Sequence, residues 1–360
     1  MAAESGASAE PGTSDASHAA KPPSRTAEWY RHFGLFEAPG SSACYSEWTL
    51  GIADDPALIE RIEQWPHHKR QPNLMLAAAR FLGAQISPYA AFREFLDAHW
   101  TDVTRIVLSR ATQTNEAGRC ATLLPSFAAI AAADGKPLAL IEVGASAGLV
   151  LFPDQYSYEF DDGTSVTRLA PARVSGSEAP VLRCTTTGPV PLPDRLPEVT
   201  WRAGIDLNPL DVNNPEDVAW LEALVWPEQD FRRERLRQAV AVARRDPPRL
   251  VAGDLNRQLL DLAGHAPDEA TLVIFHSAVL GYLNAGERAR FRETIASLAA
   301  GRGCHWLSNE GHKVIDQEDG SNVVPEMAED RLRGRFLLLH NGKPVAITGP
   351  HGQSIEWLEP

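Results

Sequence analysis

The chain has 360 residues, 44% of them hydrophobic, so it can bury a substantial core in one large domain or two. Its formal net charge of −13 disfavours nucleic acid as a partner, because a duplex-binding surface needs a cationic field. The four cysteines lie far apart and form no C-x-x-C pair, so they suggest neither a disulfide framework nor a zinc knuckle, and they favour a reduced, cytoplasmic location.

The first residues predict neither export nor structure. Residues 1–25 are rich in Ala, Ser, Pro and Glu, lack the apolar segment of a signal peptide, and bury too little to offset the entropy of ordering. We therefore expect a disordered tail. No later run reaches the roughly 18 apolar residues of a membrane span, so no membrane partner is expected.

Residues 26–135 have the apolar spacing of helices and are predicted to form a helical N-terminal domain. Asp55-Pro56 and Ser87-Pro88 are typical helix starts, because a capping residue precedes a proline.

A polar run, Gln113-Thr-Asn-Glu-Ala-Gly-Arg119, interrupts the end of that region. Two interpretations stay open. It is a capping turn and surface helix start, or its polar side chains line a ligand cleft, as polar clusters on loops near sheet ends often do. The side chains concerned are Asn115, Glu116 and Arg119.

An apolar strand run beginning at Leu138 ends beside a carboxylate and breaks into a turn of small residues. Such a turn lets the backbone pass close to a ligand, and the apolar run after it can start a helix whose N–H groups face the same space. The stretch Glu142-Val-Gly-Ala-Ser-Ala-Gly148 resembles the first motif of S-adenosylmethionine (SAM)-dependent methyltransferases, with Ser146 in place of the middle glycine. It also reads as Gly-x-Ser-x-Gly, the nucleophile elbow of serine hydrolases.

Residues 155–200 mix short alternating pieces with many prolines and glycines, and they predict an insertion containing a hairpin or two. Strands are then predicted at 199–206, 249–254, 271–277 and 304–310, with helices between them. The continuous apolar run of 271–277 is typical of a central parallel strand buried on both faces, and Asn284-Ala-Gly-Glu287 predicts a helix that opens with a capping box. The helix predicted over 231–245 carries many arginines, and in an acidic protein we expect a solvated face for them rather than a nucleic-acid patch.

A hairpin of Phe336–His340 and Pro344–Thr348, joined across Asn-Gly, is predicted to end the chain. The alternation of strands and helices over residues 136–360 predicts an α/β domain with a doubly wound, mostly parallel sheet.

This order resembles the Rossmann-type methyltransferase fold, whose last strand returns antiparallel in a terminal hairpin. The resemblance implies that SAM binds at the strand ends, with Glu142 and the turn at its amino-acid part and Asp206 on the ribose hydroxyls. The turn residues concerned are Gly144, Ser146 and Gly148. Asp254 and Leu255 would then lie at the adenine edge.

The resemblance also places His276 and Ser277 where such enzymes hold groups that contact the substrate. His276 has two interpretations, a general base or polariser and a core histidine bonded to a backbone carbonyl. Tyr282 is a cleft candidate because it follows a strand. Asp206 comes 58 positions after Gly148, a distance that fits this fold only if the insertion leaves the sheet.

From about residue 26 the chain is also similar to an uncharacterised, mainly actinobacterial family catalogued as a domain of unknown function. The shared segments include Gln-Thr-Asn-Glu, Asp-Leu-Asn-Pro-Leu-Asp and Leu-Val-Trp-Pro-Glu-Gln. This resemblance implies no activity.

Three other functions are weighed against a methyltransferase. Ser146, Asp254 and His276 follow the hydrolase order of nucleophile, acid and base, but helical sequence precedes the serine where a hydrolase has strands. A dinucleotide site would need a full Gly-x-Gly-x-x-Gly. A non-catalytic protein that binds a nucleoside stays open, because a fold alone never establishes chemistry. No histidine and carboxylate spacing predicts a metal.

Overall fold

The computed structural model describes residues 24–171, 179–315 and 329–358. Nearly all of the predicted tail, residues 1–25, lies outside the described residues. Ser24 and Arg25, the last two residues of this segment, instead form the start of a helix. Ser24 caps a helix that begins at Arg25, because its Oγ accepts a hydrogen bond from the N–H of Ala27 at 3.0 Å.

Helices lead up to the first strand. They are α1 (Arg25–His32), α2 (Ala43–Ala53), α3 (Pro56–Ile62), α4 (Pro72–Phe81), α5 (Tyr89–Ser109) and α6 (Arg119–Asp134). The predicted start at Asp55 is confirmed, since its carboxylate accepts the N–H of Leu58 at 2.9 Å and Pro56 opens the helix. At the second predicted start, Pro88 is the cap and α5 begins one residue later.

Within the described ranges, the strands form one mixed sheet. They are β1 (Leu138–Val143), β2 (Ser157–Asp161), β3 (Val166–Leu169), β4 (Val181–Thr187), β5 (Val199–Asp206), β6 (Arg249–Ala252), β7 (Thr271–Ser277), β8 (His305–Gly311), β9 (Phe336–His340), β10 (Lys343–Thr348) and β11 (Ser354–Trp357). Their order is β3-β2-β4-β11-β10-β9-β8-β7-β1-β5-β6.

The remaining helices lie between these strands. They are α7 (Pro215–Leu224), α8 (Asp230–Arg245), α9 (Leu255–Ala263), α10 (Ala285–Gly301), α11 (His312–Ile315) and α12 (Glu329–Leu332). Asn284 opens α10 with the predicted capping box, in which its side chain and that of Glu287 each accept the other's backbone N–H. None of the described helices is both long and apolar enough to cross a bilayer.

Five neighbouring strands, β6, β5, β1, β7 and β8, run parallel. The chain passes from β1 to β5 and β6 on one side, and then returns to β7 on the other side of β1. Both β1 and β7 are buried along their whole length, and for β7 the uninterrupted apolar run predicts this. The change of direction between them leaves a crevice at the carboxyl ends of the strands, where open α/β sheets bind ligands.

The predicted insertion does not leave the sheet; it extends the sheet at a distant edge. β2 and β3 form an antiparallel hairpin, β4 lies parallel to β2, and β4 joins the sheet by pairing with β11. β1 and β5 therefore stay neighbours, with Leu138 opposite Val199, despite the long interval between them. Residues 172–178 of this segment lie outside the described residues.

The predicted hairpin is present, but it does not end the chain. β9 and β10 pair across Asn341 and Gly342, whose φ angles of 50° and 78° are those of a left-handed hairpin turn. A further strand, β11, follows and pairs antiparallel with β10. Its four residues are too few to show a reliable period in the sequence.

The core lies on both faces of the sheet. One buried cluster joins the helices before β1 to the sheet, with Tyr30 and Trp48 in the same cluster as Leu140 and Phe275. The other face is covered by α9 and α10, whose Leu259, Phe291 and other apolar residues pack on β1, β5 and β7. Helices on both faces of a mostly parallel sheet form a doubly wound α/β arrangement.

Candidate functional site

A cavity of about 510 Å³ opens at the carboxyl ends of the parallel strands. The ends of β1, β5, β6 and β7, the loop before α6, the start of α8 and the loop between β10 and β11 all contribute to its wall. Most of the residues predicted from the sequence line it. They are Asn115, Arg119, Glu142, Gly144, Ser146, Asp206, Asp254, Leu255, Ser277 and Tyr282.

Glu142, on β1, is the buried carboxyl of this cavity. Only 5% of it is exposed, and its Oε2 has no hydrogen-bond partner among the described residues. Burial raises the pKa of this carboxyl well above its usual range; nearby Arg119 opposes that shift and Asp206 adds to it. The neutral form is therefore favoured until a cation or a donor reaches Oε2.

The turn after β1 is held in a left-handed backbone conformation. Gly144 has a φ of +72°, and a Cβ there would lie 2.4 Å from Cγ2 of Val279, so only glycine fits. Ser146 also has a positive φ, of 50°. Its N–H donates to Oδ2 of Asp206 at 2.9 Å, and its hydroxyl donates to the carbonyl of Gln113 at 3.1 Å. The serine is thus a turn residue whose hydroxyl is already bonded.

The helix expected after this turn is absent. A short 3₁₀ turn, Leu149–Leu151, follows Gly148, and Pro153 comes two residues after it. A proline so close to the turn stops a helix from propagating. The N–H of Leu149 is satisfied at 2.7 Å by Oδ1 of Asn115, so the wall has no helix N-terminus at this point. Gly148 itself does not line the cavity.

Asp206, at the end of β5, already has three donors. Its carboxylate accepts the N–H of Ser146 at 2.9 Å, the N–H of Asn208 at 2.8 Å and Nε2 of Gln113 at 3.2 Å. Gln113 also donates to the carbonyl of Asn208 at 2.5 Å. A carboxylate has about four acceptor positions, so two ligand hydroxyls can both bind this one only if the Gln113 amide is displaced. Sequence reasoning missed the Gln113 contact, although Gln113 opens the polar run.

Asp254, which follows β6, has a second task besides lining the cavity. It caps α9, because its Oδ1 accepts the N–H of Asn256 at 2.7 Å. Leu255 and Asn256 line the cavity beside it.

Glu116 lies behind the cavity wall and organises two arginines of α8. Its Oε2 is 2.7 Å from Nε of Arg232, and its Oε1 is 2.9 Å from Nη2 of Arg235. Burial works to raise the pKa of Glu116, but the two guanidinium groups outweigh it and lower the pKa to about 2. The prediction of a solvated arginine face is therefore wrong for Arg232, which is 6% exposed and lines the cavity.

Arg119, the first residue of α6, crosses to the strand ends. Its Nε donates to the carbonyl of Pro350 and its Nη1 to the carbonyl of Ser277, both at 3.0 Å. With 9% of the residue exposed, the guanidinium is fixed against the protein while it lines the cavity.

His351 is a cavity residue that the sequence did not indicate. It lies in the loop between β10 and β11, and its Nδ1 is buried without a partner among the described residues. Burial, followed by the charge of Arg232, lowers its pKa to about 3, so the imidazole is neutral. No local sequence signal marks it, because the β11 that positions it was not predicted.

His276 is not a cavity residue, contrary to the catalytic prediction. It is fully buried, and both ring nitrogens are bonded. Trp306 Nε1 donates to Nε2 at 3.1 Å, so the proton lies on Nδ1 and is donated to Oε1 of Glu310 at 2.7 Å. His276 is therefore a core histidine, the second of its two interpretations. Its partner is the carboxylate of Glu310, and not a backbone carbonyl as that interpretation assumed.

The residues of the hydrolase alternative are not brought together. Ser146 is bonded to Gln113, Asp254 caps α9, and His276 is bonded to Trp306 and Glu310. No described hydrogen bond links any two of the three. The part of the chain that the structure describes also contains no group of three His, Cys, Asp or Glu side chains that could hold a metal ion.

The chain belongs to a family described as an uncharacterized protein conserved in bacteria, whose model matches residues 27–357. No curated protein and no solved structure matches the chain.

Proposed function

We propose that this bacterial protein binds SAM in the cavity and acts as a SAM-dependent methyltransferase. The observation that carries the proposal is that Glu142, Asp206 and Asp254 come from the ends of three adjacent strands and line one cavity. Its volume of about 510 Å³ is in the range of small-molecule sites. The parallel order β6-β5-β1-β7-β8, with antiparallel β9 next, supports a Rossmann-like methyltransferase type of fold.

Each carboxyl has a chemical role in this proposal. Asp206 accepts the two ribose hydroxyls once Gln113 has moved aside, since hydroxyl donors are what a carboxylate satisfies. Oε2 of Glu142 accepts a hydrogen bond from the ammonium group of the amino-acid part of SAM. The positive charge of that ammonium then favours the ionised form of the carboxyl. Asp254 and Leu255 lie beside the adenine. The cofactor itself supplies an electrophilic methyl group.

A non-catalytic protein that binds the same nucleoside is the second candidate, because the same three carboxyls would serve it. Transfer of a labelled methyl group from SAM to any acceptor in a bacterial lysate distinguishes the two. The hydrolase alternative receives no support from the geometry, since the hydroxyl of Ser146 is bonded to a backbone carbonyl.

Isothermal titration of the whole chain with SAM and with S-adenosylhomocysteine (SAH) tests the binding. We expect both to bind, and we expect Asp206→Asn to weaken both by at least about tenfold, because a ribose diol loses its charged acceptor. Asp211→Asn is the matched control, since Asp211 is an exposed carboxylate a few residues further along the chain.

The proposal is overturned if folded wild-type protein binds neither compound at millimolar concentration. It is also overturned if Asp206→Asn binds both as tightly as the wild type does. Far-UV circular dichroism of the variant shows whether a loss of binding is a loss of folding, because Asp206 also holds Ser146. Should it unfold, Asp254→Asn takes its place.

A further inference from the structure

One part of the cavity wall is not used by the proposed nucleoside site. It consists of Arg119, Arg232 and His351, which we call the basic wall. These residues come from the start of α6, from α8 and from the loop between β10 and β11. All three line the same cavity as Glu142.

Both guanidinium groups of the basic wall are anchored by two nitrogens and leave the third unbonded. Nε and Nη1 of Arg119 donate to the carbonyls of Pro350 and Ser277. Nε and Nη1 of Arg232 donate to Glu116 and Gln229. Within the described ranges, Nη2 of either arginine has no protein acceptor. A fork held in this way is pre-organised for a ligand.

Within the described ranges Arg119 of the basic wall has no ion pair, because its two bonded nitrogens donate to carbonyl oxygens, although Glu116, Glu142 and Glu310 act on its charge from nearby. Glu116 is shared between Arg232 and Arg235, and Glu142 favours its neutral form. The remaining charge is buried, where a lone cation is costly unless an anion pairs with it. Nδ1 of His351, buried without a partner, adds an unfilled polar position beside the arginines.

The wall suits a carboxylate better than a phosphate. A phosphate is usually held by a series of backbone N–H groups or a helix N-terminus. Here the N–H groups of Gly144, Ser146 and Leu149 all donate within the protein, and only a 3₁₀ turn follows β1. What remains is one Nη2 group from each arginine, and two charged donors of this kind can each bond one oxygen of a carboxylate.

The cavity also has an apolar part that fits an organic body. Leu224 and Trp226 line it from the end of α7, and Leu283 and Tyr282 line it after β7. Tyr282 is 70% exposed, so this part lies at the mouth. A small acid with an apolar body can therefore fill the mouth while its charged end reaches the arginines.

We infer that the basic wall binds the carboxylate of a small organic acid, held by Nη2 of Arg119 and Arg232 and by His351 in its Nδ1–H tautomer. Calling this acid the methyl acceptor rests on the proposed function. Its binding to the wall does not.

Isothermal titration with phenylacetate and hexanoate, each beside its primary amide, tests the inference on the whole chain with and without saturating SAH. The acids are expected to bind at least about tenfold more tightly than the amides, because only they carry the charge. Arg232→Gln is expected to abolish that preference. Arg237→Gln is the control on the same helix, since Arg237 pairs with Glu222 at the surface and is expected to change nothing.

Equal affinity for acids and amides in the wild type overturns the inference, and this comparison needs no variant. It is also overturned if Arg232→Gln weakens SAH by the same factor as the acids, because the wall would then hold the carboxylate of the nucleoside. If SAH does not bind at all, but the wild type prefers the acids and Arg232→Gln does not, the inference about the basic wall is supported and the methyltransferase proposal fails. Arg119→Lys replaces Arg232→Gln if the latter does not fold.

Discussion

Three buried glutamates show how the partners of a residue decide its role. Glu116, Glu142 and Glu310 are 6%, 5% and 1% exposed. Glu116 is paired with two arginines, and Glu310 accepts His276 Nδ1–H and the N–H of Val279. Glu142 alone of the three has an oxygen without a partner among the described residues. A buried polar atom left unpaired costs stability, so a ligand that pairs with it is favoured.

The raised pKa of Glu142 predicts a dependence of stability on pH. The unfolded chain releases this proton near the ordinary glutamate pKa of about 4.3, while the folded chain keeps it to higher pH. The folded state then binds more protons, so the free energy of unfolding falls as pH rises between the two pKa values. Glu142→Gln removes this loss. The free energy of unfolding of Glu142→Gln, relative to that of the wild type, should therefore rise by up to about 1.4 kcal/mol per pH unit between the two pKa values.

Urea denaturation of both proteins between pH 4 and pH 8 measures this difference. Glu60→Gln is the control, because Glu60 is exposed on α3. A difference between Glu142→Gln and wild type that stays constant across that range would contradict a raised pKa at Glu142.

At the level of elements, the loop between β10 and β11 is the piece that completes the site. Gly352 has a φ of +79°, and a Cβ there would lie 1.8 Å from the carbonyl oxygen of Gly118, just before α6. This close approach brings the Pro350 carbonyl to Arg119 and His351 into the cavity wall. A hairpin loop at the end of the chain is thus fixed to the start of a helix that precedes β1.

Gly352→Ala is therefore expected to destabilise the protein more than Gly342→Ala. Both glycines have nearly the same positive φ, but a Cβ at Gly342 meets nothing within 4 Å. The left-handed backbone cost is shared, and the clash with Gly118 adds about 1–3 kcal/mol. Urea denaturation of the two variants measures the difference. Equal losses would mean that the loop does not press on α6.

For the whole molecule, the shared core makes the helices before β1 and the sheet one packed unit. Tyr30, Trp48 and Phe127 from these helices belong to the same buried cluster as Leu140 of β1 and Phe275 of β7. Trp48 is fully buried, and its ring stacks on that of Phe92 with centroids 3.7 Å apart. Phe127 and Phe275 meet edge to face across the boundary near residue 135 that the sequence predicts between two domains, with ring centroids 5.3 Å apart.

Unfolding of the chain is expected to be a single cooperative transition. Trp48→Ala should lower the midpoint by the same amount whether far-UV circular dichroism or tryptophan fluorescence is followed, with a loss of about 3–5 kcal/mol. The measurement is urea denaturation of wild type and variant with both probes. Two separated transitions, with only the first shifted by the substitution, would show that the helices fold apart from the sheet.

The sequence by itself determined the features that depend on neighbouring residues. A cap followed by proline marked α3, the capping box marked α10, and the continuous apolar run of 271–277 marked β7 as buried on both faces. Strand ends were also readable, because an acid or small residue ends an apolar run. For that reason the predicted Glu142, Asp206 and Asp254 line one cavity.

Only the tertiary structure decided which distant groups meet. Arg232 pairs with Glu116, which precedes it by more than a hundred positions, and His351 reaches the cavity through a strand too short to predict. The sequence correctly predicted that His276 lies at the end of a strand. Its side chain does not line the cavity, however, because it is bonded to Trp306 and Glu310 of the next strand. The period of a segment shows that a face is buried, and it does not show which element covers that face.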